Sequence, residues 1–290
     1  MVTFNRSLLD EKLGQLEQLP CALTSALDPG FLPLSLHWFD EVTSTNQVAW
    51  DLLRHGSGSG TVVIAQQQST GRGQRGHSWS SPSGGLYLSL GLDLTMSATQ
   101  GIELTLVSVC GVAAALRQVS IPVGIKWLND LVVERRKLGG ILTETRVQQG
   151  QIRQAVVGVG INWCNPVPPM GVNLQTLWES LPIHQSQSNF PLWPHSLEAL
   201  AALVLVGLKY SLSRWQQESI TALIPSYEAL LVNRGQAFQW QGHSGTILGI
   251  TAAGDLRVQL AASEGSSVLR EVQLPPGSVS LGYNFDTFSV

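Results

Sequence analysis

Four apolar segments in the middle of the chain constrain the fold most, because very short turns join them. The segments are residues 123–127, 131–134, 138–146 and 154–163. Polar turns such as those at 134–137 and 148–150 separate them. Such short connections can join only antiparallel neighbours, since a parallel pair needs a crossover of about a dozen residues or more. The sequence therefore predicts an antiparallel sheet in this part of the chain.

Patterns on either side of this sheet predict helices and further strands. Hydroxyl residues at 43–45 can cap a helix that ends at Gly56, and residues 102–119 have the strongest helical pattern in the chain. Further strands are predicted at 36–39, 61–66 and 86–94, further helices at 196–210 and 217–231, and an irregular connection at 166–194. The fold class is therefore α+β, with a mixed, largely antiparallel sheet flanked by helices.

The character of the sequence changes after Gly235. Short strand patterns follow one another at 238–240, 245–250, 256–260 and 268–274, with Gly, Asp and Pro turns between them, as in a small β-barrel. We therefore expect an N-terminal extension at 1–35, a catalytic domain at 36–232 and a C-terminal β-barrel domain at 233–290.

Charge and hydropathy exclude some classes of protein. A net charge of −3 over 290 residues argues against a broad nucleic-acid-binding face. Asp10 and Glu11 interrupt the region where a secretory signal needs apolar residues, and the longest apolar run, 199–208, is shorter than the roughly 20 residues that span a bilayer. We expect a cytoplasmic protein that does not bind membranes.

A glycine-rich loop at 66–79 indicates a ligand site. It contains three glycines and three basic or donor side chains, namely Gly71, Gly73, Gly76, Arg72, Arg75 and His77. No acid occurs between Asp51 and Asp93. Glycines let backbone N–H groups approach a ligand closely, and the side chains add further donors, so the loop is suited to an anion such as phosphate.

The same loop also spells the dinucleotide-binding fingerprint G-x-G-x-x-G. That fingerprint requires a helix to open at its third glycine, whereas Pro82, Gly84 and a strand pattern follow here. A kinase glycine loop would need a downstream His-Arg-Asp motif, which the sequence lacks. A mobile surface loop without a ligand remains the alternative.

Two further segments carry polar residues inside apolar strands. Lys126, Asn129 and Asp130 precede Lys137 and a diglycine, and Gly158 and Gly160 interrupt a third strand; singly, each of these fits a turn or a bulge. Together they favour a charged ligand, because buried charges need partners and strand glycines usually permit a close approach. The five histidines considered, at 37, 55, 184, 195 and 243, share no metal-ligand spacing.

Five motifs, taken in order, resemble those of the biotin–protein ligase family. They are Ser44-Thr-Asn46, residues 68–79, Lys126-Trp-Leu-Asn-Asp130, Lys137-Leu-Gly-Gly-Ile-Leu142 and Gly158-Val-Gly-Ile-Asn162. The resemblance spans residues 39–162. It implies a sheet like that of class II aminoacyl-tRNA synthetases and places an SH3-like barrel where the small C-terminal strands occur.

The resemblance also implies the chemistry and the residues that carry it. Biotin and ATP, with Mg²⁺ whose ligands stay unassigned, would give biotinyl-5′-AMP, from which biotin passes to a lysine of the biotin carboxyl carrier protein domain of acetyl-CoA carboxylase. The implied catalytic residues are Lys137, Arg72 and Asp130. The implied binding residues are Ser44, Thr45, Asn46, Gln68, Gly71, Arg72, Gly73, Gln74, Trp79, Lys126, Asn129, Lys137, Gly140 and Gly158.

The chain departs from the family pattern in ways that alter these expectations. Gln74 and His77 stand where arginines are frequent, and Leu128 replaces a common proline, so a weaker hold on the adenylate is expected. The short N-terminal part implies the monofunctional type, without specific DNA binding. A weakly active biotin-binding adaptor, or a lipoate ligase or acyltransferase of the same fold, is the alternative, although the arginine-led triple-glycine loop of lipoate ligases is absent.

Overall fold

The computed structural model describes residues 4–18, 31–180, 193–261 and 270–283. The helices in this part of the chain are α1 (Arg6–Glu17), α2 (Thr45–Arg54), α3 (Gly101–Gln118), α4 (Leu174–Ser180) and α5 (Leu197–Leu230). The strands of the large sheet are β1 (Ser35–Val42), β2 (Thr61–Gln68), β3 (Gly85–Ser97), β4 (Gly124–Lys126), β5 (Asp130–Val133), β6 (Arg136–Gln148) and β7 (Gln151–Asn162). The strands of the small sheet are β8 (Ala237–Trp240), β9 (His243–Ile250), β10 (Leu256–Leu260) and β11 (Arg270–Leu274).

The large sheet is mixed and mostly antiparallel, which confirms the predicted fold class. Its strand order is β1-β2-β3-β7-β6-β5-β4. β1 and β2 run parallel because α2 lies between them in the chain, while the other neighbouring pairs are antiparallel. The short turns that connect β4, β5, β6 and β7 therefore join antiparallel neighbours, as predicted.

α3 and α5 pack on the large sheet and form the main core with it, while α2 packs on the sheet in a second, smaller apolar cluster. α3 is apolar almost all round and packs against α5, and at Gly111 an added Cβ would lie 2.3 Å from the carbonyl oxygen of Gly207. The two helix backbones thus touch at this pair of glycines. The segment Ala98–Gln118 is long and apolar enough to cross a membrane, but most of it is buried inside the protein, which is the property of a core helix.

Three helical regions differ from the sequence prediction. The connection predicted as irregular contains α4, which Asn173 caps through Oδ1 to the N–H of Thr176 at 2.8 Å, while residues 181–192 lie outside the described residues. The predicted gap at 211–216 is helical because Leu212 is buried in the core, and α5 is instead interrupted at Ser219. The N-terminal extension contains α1, whose Glu17 pairs with Lys209 of α5 at 2.7 Å.

The small sheet is antiparallel, in the order β11-β10-β9-β8, and agrees with the predicted strands. The predicted start of its last strand, at residue 268, lies outside the described residues. Gly254 in the β9–β10 turn accepts a hydrogen bond from Trp127 Nε1 at 2.9 Å. After β11 the chain returns to the large sheet, where Leu281 is buried and Tyr283 reaches Asp130. The segment that follows the small sheet thereby contributes to the wall of a cleft in the large one.

Candidate active site

A cleft of about 260 Å³ opens on the large sheet, between α2, the glycine loop, the β4–β5 turn and the segment after β11. The structure brings nearly all the predicted site residues together there. The predicted residues that line it are Ser44, Thr45, Asn46, Gln68, Arg72, Gly73, Gln74, Trp79, Lys126, Asn129, Asp130, Lys137, Gly140 and Gly158. Gly71 is the exception. It is a buried residue of the loop that does not line the cleft, and an added Cβ there would lie 2.4 Å from Ser81 Oγ.

One end of the cleft is a network of neutral hydrogen-bonding groups at the start of α2. Gln68 Oε1 accepts hydrogen bonds from Thr45 N at 2.8 Å and from Thr45 Oγ1 at 3.2 Å. The Gln68 amide nitrogen donates to Ser81 Oγ at 2.8 Å, so the orientation of the amide is fixed. Ser44 is the N-cap of α2 and its side chain makes no capping bond, which leaves the hydroxyl facing the cleft available to a ligand.

Behind this network the strand glycines accommodate side chains of the cleft wall. An added Cβ at Gly158 would lie 2.3 Å from Asn46 Oδ1, and one at Gly160 would lie 2.7 Å from the Trp79 ring. The close approach predicted for these glycines is therefore made by protein side chains. At Gly140 an added Cβ would make only ordinary contacts, the nearest being Asp130 Oδ1 at 3.5 Å.

The other end of the cleft holds two lysines on one carboxylate. Lys137 Nζ lies 2.6 Å from Asp130 Oδ1, and Lys126 Nζ lies 3.5 Å from Asp130 Oδ2. Tyr283 Oη donates a hydrogen bond to the same Oδ2 at 2.6 Å. Burial lowers the pKa of Lys126, and the charge of Asp130 partly opposes this effect. Burial, the charge of Asp130 and the hydrogen bond to it raise the pKa of Tyr283.

Aromatic rings flank both of these lysines. Lys137 Nζ lies 5.1 Å from the centroid of the Trp79 ring, and Lys126 Nζ lies 4.5 Å from that of Tyr283. Trp79 Nε1 is buried without a hydrogen-bond partner in the described part of the chain. An indole N–H in this state can donate to a ligand in the cleft.

The glycine loop is folded back on itself beside the cleft. Gly73 N donates to the His77 carbonyl at 2.7 Å, and Trp79 N donates to that of Gly71 at 2.9 Å. Arg72 pairs with Glu144, since Nη1 lies 3.1 Å from Oε1 and Nη2 lies 3.1 Å from Oε2. These contacts connect the loop to β6 and place its cationic side chains beside the cleft.

Asn129 has a structural role in the position where an adenylate contact was predicted. Its Nδ2 donates to the carbonyl of Ile141 at 2.6 Å, and the N–H of Ile141 donates back to the Asn129 carbonyl at 3.1 Å. The residue therefore fastens the β4–β5 turn to β6. Its contact with a nucleotide stays a prediction.

Several residues of the site were not found from the sequence. Glu144 and the buried Ser89 contact Asn46, while Ser280, Leu281 and Tyr283 approach the cleft from a distant part of the chain. Glu144 had a signal, because it is the one acid in β6. The C-terminal residues had none, since only the tertiary fold brings them to the cleft.

The donor set of the cleft does not fit a metal held by the protein alone. In residues 4–18, 31–180, 193–261 and 270–283, no group of three or more His, Cys, Asp or Glu could hold a metal ion. Asp130 is the one acid among the lining residues, and two lysines already neutralise it. Chemically, the cleft offers a neutral hydrogen-bonding end and a cationic end, which suits a molecule with a polar ring and an anionic group.

Comparisons with known proteins agree with this arrangement. The solved structure of biotin protein ligase from Aquifex aeolicus in complex with biotin and ATP superposes with a TM-score of 0.61 at 23% identity, covering 82% of this chain and 95% of that one. The fold is therefore that of the biotin ligase class. Residues 38–162 match the model of the Biotin/lipoate A/B protein ligase family, which confirms the resemblance predicted from the motifs over this part of the chain.

Two curated relatives extend the comparison. The bifunctional ligase/repressor BirA of Escherichia coli is 33% identical over 199 residues, which are 67% of this chain and 59% of that protein. The biotin–[acetyl-CoA-carboxylase] ligase of Paracoccus denitrificans is 34% identical over 122 residues, which are 41% of this chain and 50% of that protein. The chain spans between 38% and 59% of the length of its bacterial relatives of the BirA type.

Proposed function

We propose that the protein is a biotin–protein ligase, a carbon–nitrogen bond-forming enzyme that activates biotin with ATP. The proposal rests on one observation: a single cleft has a neutral hydrogen-bonding end and a lysine-rich end. Biotin is an uncharged ureido ring joined by an alkyl chain to a carboxylate, so its two ends match the two ends of the cleft. The family domain and the biotin- and ATP-bound relative support the same ligands.

In the first step the cleft would bring two anions together. We place the ureido ring against Ser44, Thr45 and Gln68, and the carboxylate toward Lys137 and Arg72. A carboxylate oxygen attacks the α-phosphorus of ATP, the bond from that phosphorus to the β-phosphate oxygen breaks, and pyrophosphate leaves. Fixed cations lower this barrier because they offset charge that develops between the reacting groups.

In the second step a lysine amine of the carrier domain would attack the carbonyl carbon of biotinyl-5′-AMP, and AMP would leave. Asp130 is our candidate to receive the proton of that amine, once a ligand has drawn Lys137 away from it. The proposed acceptor is the biotin carboxyl carrier protein domain of acetyl-CoA carboxylase, a choice supported by the name of the Paracoccus relative.

We further propose that Mg²⁺ reaches the cleft bound to the triphosphate, since Mg²⁺ is commonly held by substrate phosphates with one or two carboxylates. None of the residue roles above depends on it. We propose a catalytic domain at 36–232 and a C-terminal domain at 233–290 that together act in the cytoplasm, where the carrier protein and ATP are present.

Exchange of labelled pyrophosphate into ATP tests the first step directly. We expect exchange only when biotin, ATP and Mg²⁺ are all present, because the reverse reaction needs biotinyl-5′-AMP. Replacing biotin with lipoate or octanoate tests the alternative substrate class. Equal exchange with any of these acids would refute the assignment to biotin, and biotin binding without exchange would favour the adaptor.

A further inference from the structure

Glu144 on β6 connects α2 to the glycine loop just outside the cleft. Its Oε2 accepts hydrogen bonds from Asn46 Nδ2 at 2.8 Å and from Trp50 Nε1 at 3.2 Å, both on α2. The guanidinium of Arg72 approaches both carboxylate oxygens, each at 3.1 Å. Glu144 is not itself one of the lining residues, whereas Asn46 and Arg72 are. Any effect of Glu144 on a ligand must therefore act through these two side chains.

The contact with Asn46 fixes which way its amide points. Asn46 is 3% exposed, and its Oδ1 lies 2.6 Å from the hydroxyl of the buried Ser89. Glu144 accepts a hydrogen bond from the amide nitrogen on the opposite side. If the amide turned over and its oxygen and nitrogen exchanged places, the hydrogen bond to Glu144 would be lost. Without the carboxylate, a buried N–H would be left without an acceptor, which is the costly state for a polar group.

The contact with Arg72 fixes the direction of a long side chain on a glycine-rich backbone. Arg72 lies between Gly71 and Gly73, and its side chain is 44% exposed. An arginine there would otherwise sample many rotamers, and a ligand would have to order it on binding. The two contacts of 3.1 Å, one to each carboxylate oxygen, hold the guanidinium at the edge of the cleft.

We propose that Glu144 is a positioning residue for the acid substrate. It orients Arg72 toward the substrate carboxylate and, through the same carboxylate oxygen, holds Asn46 in the wall of the cleft. The inference rests on the proposed function and adds to it a residue that favours a ligand bearing a carboxylate.

The test compares biotin with biotin amide, which lacks the negative charge, by calorimetric binding to the wild type and to Glu144→Gln. Glutamine keeps an acceptor for α2 but loses the ion pair with Arg72. We expect the affinity for biotin to fall roughly tenfold, the cost of re-ordering an arginine, while the affinity for the amide stays at the wild-type value. The KM for ATP in pyrophosphate exchange should stay unchanged, whereas that for biotin should rise.

Two further variants make the result specific. Arg72→Ala should reduce the difference between biotin and its amide to the part that Lys137 supplies, and adding Glu144→Gln to it should change nothing further, since coupled residues are not additive. Glu134→Gln is the matched control, because Glu134 also pairs with an arginine, at 3.2 Å from Arg136, but in an exposed turn. It should bind both ligands as the wild type does.

The outcomes separate this inference from the proposed function. Tighter binding of biotin by Glu144→Gln would mean that Glu144 competes with the substrate carboxylate and would overturn the proposal. An equal loss for biotin and the amide, accompanied by a lower melting temperature, would reduce Glu144 to a structural residue. If the wild type exchanges pyrophosphate with biotin and Glu144→Gln does so equally well, only the inference fails; if the wild type neither binds biotin nor exchanges, both fail.

Discussion

Asp130 is the residue at which the charges of the cationic end meet. Two ammonium groups and one phenol converge on its carboxylate, and Lys137 makes the shortest of the ion pairs. Lys137 is also the more exposed lysine, with 30% of its side chain accessible against 9% for Lys126. Because of this difference in exposure, we expect Lys137 to move toward the substrates and Lys126 to stay in the floor of the cleft.

Replacing Lys137 should test whether it acts on the reacting groups. We expect Lys137→Ala to lower the rate of biotin adenylation by about 100-fold or more, as does removal of one preorganised donor elsewhere. Single-turnover formation of biotinyl-5′-AMP measures this rate. Lys209→Ala is the matched control, since Lys209 is also ion-paired, to Glu17 at 2.7 Å, but far from the cleft. A wild-type rate in a folded Lys137→Ala protein would make Lys137 an ordinary turn charge.

Because Lys126 is buried, we expect the stability of the protein to depend on pH. Burial holds the pKa of Lys126 below its usual value of 10.5, so between the two values the unfolded chain binds the proton more strongly than the folded one. The free energy of unfolding should therefore rise with pH in that window. In Lys126→Met this rise should be smaller. The variant should also be more stable than the wild type at neutral pH, because the buried ammonium is removed while Lys137 still pairs with Asp130.

Urea unfolding of both proteins at several pH values from 7 to about 10.5 makes the comparison. The other titrating groups are common to the two proteins, so the difference between their slopes reports on Lys126. An equal slope, or a variant less stable at pH 7, would show that Asp130 compensates fully for the burial of the lysine.

Among the elements, the glycine loop departs furthest from the family pattern and is the place to test the adenylate. Gln74 and His77 both lie at the cleft, and Gln74 opens the short 3-10 turn of the loop. Gln74→Arg should slow the dissociation of biotinyl-5′-AMP, because a guanidinium adds charge and further donors beside the phosphate. The off-rate can be measured with labelled biotinyl-5′-AMP bound to the protein, by adding an excess of unlabelled ligand that prevents the released label from rebinding.

The loop experiment also needs a control for charge alone. Ser57→Arg places the same side chain in an exposed turn after α2, and it should leave the off-rate unchanged. An off-rate that Gln74→Arg does not alter would mean that the loop does not contact the adenylate phosphate.

The elements also show how far sequence reasoning reaches. The four central strands were predictable because their turns are too short for any parallel arrangement. α4 was missed because prolines and asparagines around it conceal a helix of only seven residues, which Asn173 caps. The interruption of α5 was predicted at 211–216 but lies at Ser219. Burial of Leu212 in the core keeps 211–216 helical against its local sequence.

At the scale of the whole molecule, the cleft depends on parts of the chain that are far apart in sequence. The glycine loop, the β4–β5 turn and the segment around Leu281 all line it. The residues of the local motifs were therefore predictable. The roles of Tyr283 and Glu144 were not, because they come from contacts across 153 and 98 residues, and the sequence shows of Glu144 only that it is the one acid in β6. The same separation means that the small sheet and the cleft should lose their structure together on unfolding.

Transfer of biotin to an isolated carrier domain tests the central claim most directly, because it requires both steps in one cleft. Purified protein, biotin, ATP and Mg²⁺ are mixed with the biotin carboxyl carrier protein domain of a bacterial acetyl-CoA carboxylase, and the carrier is examined by intact-mass spectrometry. We expect one biotin on one lysine of the carrier, and no biotin when ATP is omitted or when that lysine is replaced by arginine. A carrier that stays unmodified, or that is modified equally well with lipoate, would contradict the claim.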